Sequence, residues 1–282
     1  IALNLTINVS DTSYTNITSC DSLEWNGVVY DSSGTYYSVS NNLSSNSLIF
    51  DGSSYVSISD NPSLNWGFNN FSVSVWVNKN NSSPWLQTII TKMETTSGNY
   101  VGWNLGLVYN QIRFTPGVGT VNGTWVNNGT INSNFTLNDN QWYYITGVFD
   151  GTNSQTHLYV DGILIASETA NYTINPNNSQ DLKIGAYMPS GAPSGPEFFY
   201  GNIDNVEIWN RALDISEIQN YMSCSPTGSE QNLLGYWNFE EGSGSTAFDK
   251  TSSGNDGAIN GATFDVNVPT QSCQLTNVNG CD

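Results

Sequence analysis

Positively charged residues are scarce in this 282-residue sequence. Six Lys and Arg stand against 24 Asp and Glu, which gives a formal net charge of -18 at pH 7. A surface of that sign repels phosphate backbones and anionic headgroups, which argues against nucleic acid and anionic membranes as partners. It attracts cations instead, and Ca2+ in particular.

Charged residues of either sign are few, and long hydrophobic runs are missing. Charged residues make up 11% of the chain, while Asn, Ser, Thr and Gly fill most polar positions. That composition suits exposed strands and loops better than surface helices, which are rich in Glu and Lys. No apolar run reaches the roughly 20 residues of a membrane-spanning helix, so we expect no membrane insertion.

Cysteine is limited to four residues, and none of them lies in a Cys-x-x-Cys pair. They are Cys20, Cys224, Cys273 and Cys281. Zinc sites usually contain closely spaced cysteines, so this spacing disfavours zinc. An even number of separated cysteines is typical of an oxidising compartment, and we expect two disulfide bonds.

Alternating side chains mark strands along most of the chain. The segment FSVSVWV (71–77) places Phe71 and three valines on one face, because strand side chains alternate between two faces. The segment HLYVDGILIAS (157–167) contains two strands joined by Asp161-Gly162, the commonest type of two-residue hairpin turn. Turn-rich segments separate further runs of this kind.

One helix is predicted over residues 213–222. Asp214 and Glu217 have the spacing of a capping box. The apolar residues of this segment fall on one helical face: Ile215, Ile218, Tyr221 and Met222. Many short strands with one brief helix indicate an all-β sandwich.

Seven segments occur in a fixed order between residues 45 and 222. They are SLIFDGSSYVSISDNPSLN, FSVSVWVN, TIITKM, NDNQWYYITGVFDG, HLYVDGILIAS, LKIGAY and GNIDNVEIWNRALDISEIQ. This ordered set resembles the laminin-G-like and pentraxin-like branch of the concanavalin A-like jelly rolls. Residues 233–265 resemble the opening strands of the same family, yet they come last. We therefore expect a jelly roll over 45–222, circularly permuted and completed by 233–265; a truncated second copy is the alternative.

The two ends of the chain carry a second pattern. Its segments are IALNLTI, SDTSYTNITSCDSLEWNGVVYDSSGTYYSV and QLTNVNGCD. They resemble pieces of one Ig-like repeat found in tandem in giant surface adhesins of gliding and surface-attached Gram-negative bacteria. LNLTI usually ends that repeat, so we expect a window on a longer array. Residues 1–40 and 267–282 would then form an Ig-like module around the inserted jelly roll.

The insertion implies a disulfide pairing. Cys20 and Cys281 would belong to the Ig-like module, while Cys224 and Cys273 would bracket the permuted strands. The two other pairings, and cross-links to neighbouring repeats, are the alternatives.

Three residues are candidates for a metal site. Strict alternation places Asp204 on the face of Val206 and Ile208, so its carboxylate should point inward and need a partner. Asp249 and Asn255 lie in a Gly-rich loop that offers the oxygen donors Ca2+ takes. Related jelly rolls carry structural calcium near such positions, so the resemblance implies a calcium ion. An Asx turn at Asp249 and backbone hydrogen bonds to Asp204 are the alternative.

No motif in the sequence supplies a complete set of catalytic residues. Some concanavalin A-like folds are retaining glycosidases with a Glu-Ile-Asp-x-x-Glu strand, but Asn202 stands here at the position of the nucleophile. Alternation also sets Glu207 and Asp204 on opposite faces, unless a bulge intervenes. His157 is the single histidine, and no Ser or Cys elbow motif accompanies it. We expect no enzymatic activity.

Aromatic residues are the best candidates for ligand contact. Trp85, Trp103 and Trp125 lie in or beside polar, Gly-rich stretches, where a flat ring could stack on a sugar. Tyr187 begins the longest Gly- and Pro-rich loop. The alternative is that each ring folds back onto the core, as most large aromatic side chains do.

These resemblances together imply an extracellular, non-catalytic repeat of a large cell-surface adhesin or filament. It would bind a glycan or another cell-surface ligand and contact neighbouring repeats of the same protein. One alternative is a carbohydrate-binding module of a secreted polysaccharide-degrading enzyme. Another is a structural filament subunit joined through its terminal strands.

Overall fold

The computed structural model describes most of the chain from residue 44 to residue 271. The described ranges are 44–65, 70–80, 85–96, 99–121, 124–127, 129–170, 178–188 and 196–271. Only the backbone is described for five strands between residues 2 and 37 and for the strand residues within 95–100 and 118–127.

Twenty-four strands and one helix make up the described elements. The strands are β1 Ala2–Asn8, β2 Thr12–Thr18, β3 Leu23–Trp25, β4 Val28–Tyr30, β5 Thr35–Tyr37, β6 Ser47–Asp51, β7 Tyr55–Ile58, β8 Phe71–Lys79, β9 Leu86–Thr96, β10 Asn99–Val108, β11 Gln111–Val121, β12 Thr124–Asn127, β13 Ile131–Thr136, β14 Trp142–Asp150, β15 Gln155–Val160, β16 Ile163–Thr169, β17 Leu182–Ile184, β18 Ala186–Tyr187, β19 Glu197–Phe198, β20 Tyr200–Trp209, β21 Leu233–Trp237, β22 Thr246–Ala247, β23 Gly257–Asn260 and β24 Thr263–Asp265. The helix α1 spans Ile215–Ser223, and a 3-10 turn spans Pro62–Leu64.

Two large antiparallel sheets form the body of the molecule. The nine-stranded sheet has the order β12-β11-β10-β9-β17-β7-β23-β22, with β13 also paired to β11. The eight-stranded sheet has the order β16-β15-β14-β8-β20-β6-β24, with β21 also paired to β20. This architecture confirms the predicted all-β, concanavalin A-like jelly-roll sandwich.

The core lies between the two sheets and is built by strand alternation. On β8, Phe71, Val73, Val75 and Val77 are fully buried in this core, as the alternating pattern predicts. Burying each such side chain contributes roughly 1.5–3 kcal/mol relative to leaving it in water. Each strand of the two sheets therefore has one face packed in the core and an opposite, outer face that can contact other groups.

Helix α1 covers the outer face of the eight-stranded sheet. Asp214 and Glu217 form the predicted capping box, in which each side chain accepts a hydrogen bond from the other residue's backbone N–H. Ile218 is buried against the sheet, where it joins a second apolar cluster with Trp76 and Trp209. Ile215 was expected on the apolar face but is 49% exposed, since it opens the first turn beyond the sheet contact.

The segment after the helix supplies strands to both sheets. β21 and β24 pair with β20 and β6 in the eight-stranded sheet, and β23 lies between β7 and β22 in the nine-stranded sheet. The described part of the chain contains no helix with the length and apolar character needed to span a membrane.

The amino-terminal strands form small sheets. β1 pairs with β2 and, in parallel, with β5, while β3 pairs with β4. Residues 272–282, which would complete the Ig-like module, lie outside the described residues, so that module stays a prediction.

Candidate functional site

The outer face of the nine-stranded sheet carries a group of polar side chains. Leu105 and Leu107 on β10 and Ile112 and Phe114 on β11 belong to the core. Arg113 alternates with its two core neighbours, so it points away from the core. The register places Arg113 opposite Gly106, and Gly106 opposite Thr88 on β9. One row of outward positions thus crosses three strands.

Hydrogen bonds link three side chains of this face or its border, Thr88, Asn104 and Glu197, and together with the nearby Arg113 they are here named the Arg113 cluster. Asn104 Nδ2 donates to the Thr88 hydroxyl over 3.4 Å, and that hydroxyl donates to Glu197 Oε2 over 3.1 Å. Glu197 comes from β19, which lies against β9. Three separate strands therefore fix the direction of one carboxylate.

Arg113 differs from the other cations of the chain. Five of the six Lys and Arg side chains form salt bridges: Lys79, Lys92, Lys183, Arg211 and Lys250. Among the described residues, Arg113 has no carboxylate at salt-bridge distance, and its Nε is buried without a hydrogen-bond partner. A buried donor in that condition costs free energy unless a ligand or water satisfies it.

Burial and the nearby Arg113 guanidinium act in opposite directions on the pKa of Glu197. Burial raises the pKa of Glu197, while the hydrogen bond from Thr88 and the charge of Arg113 oppose that rise. The cluster thus contains one cation and one carboxylate held near each other without direct pairing.

An exposed aromatic pair lies at the end of the strands that carry this cluster. Trp85 directly precedes β9, and Tyr109 lies in the turn between β10 and β11. Their ring centroids are 5.9 Å apart, and the rings are 54% and 70% exposed. Tyr109 N donates to the Trp85 carbonyl over 2.8 Å, which holds the two backbones together. Trp85 is three residues before Thr88, about 10 Å along an extended strand.

Two of the predicted ligand-binding aromatics are buried, which corrects that expectation. Trp103 is fully buried in the core, because it shares the inward face of β10 with Leu105. Tyr187 on β18 is 5% exposed. Trp125 lies on β12, where only the backbone is described. Trp85 is therefore the one predicted ligand-binding residue that the described structure places at the surface.

A bulge in β20 changes the face on which Asp204 lies. Asp204 is opposite Trp76 and Glu207 is opposite Ser74, with a register shift between them and Asn205 at a φ of 46°. The extra residue puts Asp204 and Glu207 on the same outer face, away from the core. Strict alternation was therefore wrong about the face on which Asp204 lies, and wrong in setting Asp204 and Glu207 on opposite faces.

Asp204 is the candidate metal ligand with a free oxygen. Its Oδ1 accepts a 2.7 Å hydrogen bond from the Asn205 N–H, while its Oδ2 is buried without a partner. Burial raises the pKa of Asp204 well above its usual value. A buried carboxyl in this state binds either a proton or a cation.

The other two candidate ligands are already satisfied by the protein. Asp249 accepts hydrogen bonds of 2.9–3.0 Å at both oxygens, from Tyr236 N, Thr251 N, Thr251 Oγ1 and Asn255 N. Asn255 Oδ1 accepts from the Ser63 hydroxyl over 3.2 Å. These contacts build the Asx-turn loop that was the alternative to calcium, and they leave Asp249 poorly suited to a metal. The described residues contain no group of three or more His, Cys, Asp or Glu arranged to hold a metal.

Glu207 is enclosed beneath α1. It accepts hydrogen bonds from Trp209 Nε1 over 3.0 Å and from the Tyr144 hydroxyl over 3.2 Å. Asn202, at the position of the glycosidase nucleophile, donates to Ser47 Oγ and to Asp265 Oδ2, each over 3.0 Å. These side chains are packed inside the protein and do not line an open cleft.

Of the four cysteines in the predicted disulfide bonds, one lies among the described residues. Cys224 is disulfide-bonded. Cys20, Cys273 and Cys281 are not among the described residues, so the pairings Cys20–Cys281 and Cys224–Cys273 stay predictions.

Comparison with known proteins identifies a family and a fold. The Laminin_G_3 model, described as the concanavalin A-like lectin/glucanases superfamily, matches residues 50–219. No curated protein matches the chain. The structure is similar to a Bacteroides ovatus protein to which carbohydrate binding is ascribed, with a TM-score of 0.64, 18% identity, and coverage of 87% of this chain and 69% of that chain.

Two further solved structures share the fold. One is the native heptameric SAP-like pentraxin of Limulus polyphemus, with a TM-score of 0.54, 14% identity, and coverage of 82% of this chain and 98% of that chain. The other is the CBM40 of the Ruminococcus gnavus IT-sialidase, bound to alpha2,3 sialyllactose, with a TM-score of 0.51, 16% identity, and coverage of 61% and 93%. At these identities the likeness concerns the fold.

Proposed function

The chain belongs to the concanavalin A-like lectin/glucanases superfamily, and from this premise we propose that it is a glycan-binding module. Its site would consist of the Trp85–Tyr109 pair and the Arg113 cluster. The observation that carries the proposal is the exposed aromatic pair beside polar side chains whose hydrogen-bonding capacity is unused.

The chemistry of the two parts is complementary. A sugar ring has an apolar C–H face that packs on an aromatic ring, and a hydroxyl rim that needs donors and acceptors. Trp85 and Tyr109 supply exposed rings, while Arg113 and Glu197 supply a donor and an acceptor. Binding sites of this kind combine an apolar surface with a few fixed polar groups. The carbohydrate-related descriptions of the Bacteroides ovatus and Ruminococcus gnavus neighbours support the same assignment.

The test is glycan binding by a Trp85→Ala variant. We expect the wild-type chain to bind a subset of an oligosaccharide array, and the variant to lose about two- to twelvefold in affinity, since stacking on one aromatic ring contributes about 0.5–1.5 kcal/mol. Isothermal titration with the strongest array ligand measures the loss.

Phe248→Ala is the matched control for that experiment. Phe248 is 49% exposed, similar to Trp85, but follows β22 at the far edge of the same sheet. Four strand spacings separate β22 from β9, about 19 Å. Equal losses in both variants, or no binding by the wild type, would remove the proposal.

The proposed setting is extracellular, within a cell-surface adhesin of repeated modules. The disulfide at Cys224 supports an oxidising compartment, and the Ig-like segments at the two ends support the repeat context. A module of a secreted polysaccharide-degrading enzyme is the second candidate, favoured by the Ruminococcus gnavus neighbour, which is part of a sialidase. Adjoining sequence distinguishes them, since further Ig-like copies favour the adhesin and a glycosidase domain favours the enzyme.

Structural calcium is a separate proposal that now rests on Asp204 alone. Its unpartnered Oδ2 supports a cation, whereas the satisfied Asp249 and Asn255 do not. The melting temperature should rise with Ca2+ relative to EGTA, and Asp204→Asn should abolish the rise. An unchanged melting temperature would indicate that the Asp204 carboxyl holds a proton instead of a cation.

A further inference from the structure

The Arg113 cluster also indicates which class of glycan binds, an inference that rests on the proposed glycan-binding function. We infer that the cluster selects a neutral sugar with two adjacent hydroxyl groups over a sugar that carries a carboxylate or sulfate. The supporting observations are the hydrogen-bonding atoms without partners and the charge balance of the cluster.

The internal hydrogen bonds of the cluster leave one donor group and one acceptor group available. The Thr88 hydroxyl donates to Glu197 Oε2 and accepts a hydrogen bond from Asn104 Nδ2. Among the described residues, the one hydrogen bond to the Glu197 carboxylate ends on Oε2. Arg113 is half-buried, and its buried Nε has no hydrogen-bond partner. One hydroxyl oxygen of a diol can therefore accept from the guanidinium, while the adjacent hydroxyl donates to the carboxylate.

The charge of the cluster argues against an acidic ligand. The formal charges of Arg113 and Glu197 cancel, and every other cation of the chain is in a salt bridge. The whole chain carries a net charge of -18, which repels anions at long range. A ligand carboxylate placed on Arg113 would also lie beside Glu197, and like charges at that range repel.

Gly106 is buried and lies between the two groups, next to the Asn104 side chain. It lies between Arg113 and Thr88 in the outward row, and a Cβ there would approach the Gln87 carbonyl oxygen to 2.5 Å. A Cβ there would also lie 3.3 Å from Asn104 Oδ1, so the Asn104 side chain covers the backbone between the donor and the acceptor. A sugar that reaches Arg113 and Glu197 would therefore also lie beside the Asn104 amide.

The experiment compares matched neutral and acidic oligosaccharides, such as a glucose and a glucuronic acid form of the same chain length. Isothermal titration is carried out on the wild type, Arg113→Gln, Glu197→Gln and the control Lys183→Gln. Lys183 lies on the same outer face, opposite Thr91 on β9, but forms its own salt bridge with Asp181. Circular dichroism and the melting temperature show that each variant folds.

We expect the wild type to bind the neutral form at least about tenfold more tightly than the acidic form. Arg113→Gln and Glu197→Gln should each weaken neutral binding by about tenfold, because each removes a charged hydrogen-bonding partner. Lys183→Gln should change binding less than about twofold. Affinity for the neutral form should hardly change between about 0.05 and 0.5 M salt, since screening acts on charged pairs.

Three results would overturn the inference. Preferential binding of the acidic form that Arg113→Gln abolishes would make the cluster an anion site. Unchanged neutral binding in both cluster variants, with loss in Trp85→Ala, would keep the glycan-binding function but remove the cluster from it. Absence of binding to any neutral or acidic glycan would remove the proposed function itself.

Discussion

Glu207 shows how a single buried carboxyl group can affect the stability of the protein. It is fully buried beneath α1 and is hydrogen-bonded by Trp209 and Tyr144. Burial raises the pKa of Glu207 to about 8, although those two hydrogen bonds oppose the rise. The folded protein therefore holds a proton at neutral pH that the unfolded chain releases.

We expect stability to fall as the pH rises from about 4.5 to about 8. The unfolded pKa is 4.5 and the folded pKa is about 8, so the folded state binds more protons across that window. The contribution is fully present below the lower value and is lost as the pH passes the upper one, at no more than about 1.4 kcal/mol per pH unit. Melting temperature against pH measures the effect.

Glu207→Gln should reduce the slope of that profile, because glutamine does not titrate and still accepts hydrogen bonds, while the buried Asp204 continues to contribute. Glu168→Gln, at an exposed position on β16, is the control and should leave the slope unchanged. A wild-type profile that is flat or rises over this range would contradict the assignment.

At the residue scale, the sequence predicted the core better than the site. Alternation identified the inward face of β8, and the same pattern around Leu105 was a signal that Trp103 is buried. Arg113 between Ile112 and Phe114 was likewise visible as an outward cation. Its relation to Glu197 was not visible, because β19 is distant from β11 in sequence and pairs with β18 in a separate small sheet that lies against β9.

At the element scale, the capping box formed by Asp214 and Glu217 sets the start of α1 at Ile215. The Asp214 side chain accepts from the Glu217 N–H over 2.9 Å, and the Glu217 carboxylate accepts from the Asp214 N–H over 3.0 Å. These contacts satisfy backbone donors that the first helical turn leaves unpaired. The helix in turn seals the cluster around Trp209.

Asp214→Ala should destabilise the protein by about 1 kcal/mol through loss of that cap. Asn220→Ala, at an exposed position in the middle of the same helix, should have little effect or be slightly stabilising. Urea unfolding monitored by circular dichroism gives both values. Equal stability of Asp214→Ala and wild type would show that tertiary packing alone sets the start of the helix.

The bulge in β20 is a feature that the sequence analysis allowed as an exception but did not predict. Asn205 has a φ of 46° there, a conformation that Asn adopts more readily than most residues. The core residues Ile203, Val206 and Ile208 are unevenly spaced, since two polar residues separate the first two and only one separates the last two. That interruption of the alternation was the available signal of an extra residue. With the bulge in place, Asp204 and Glu207 lie on the same outer face, and both are buried there.

At the scale of the whole molecule, the order of segments in the sequence differs from their order in the sheets. Residues 233–265 follow the helix in sequence, yet β21, β23 and β24 are paired with strands of both sheets. The family resemblance predicted that these strands belong to the jelly roll, which composition and periodicity alone do not specify. The Arg113 cluster depends on the same long-range order, since β9, β11 and β19 are separated in sequence.

The central claim is that a glycan binds on the outer face of the nine-stranded sheet, between the aromatic pair and Arg113. The most direct measurement is an NMR titration of the isotope-labelled chain with the strongest neutral oligosaccharide. The account predicts saturable shifts of the Trp85 indole N–H and the Arg113 Nε–H, with the Trp209 indole N–H beneath α1 unmoved. Shifts confined to the eight-stranded sheet, with Trp85 and Arg113 unmoved, would contradict it.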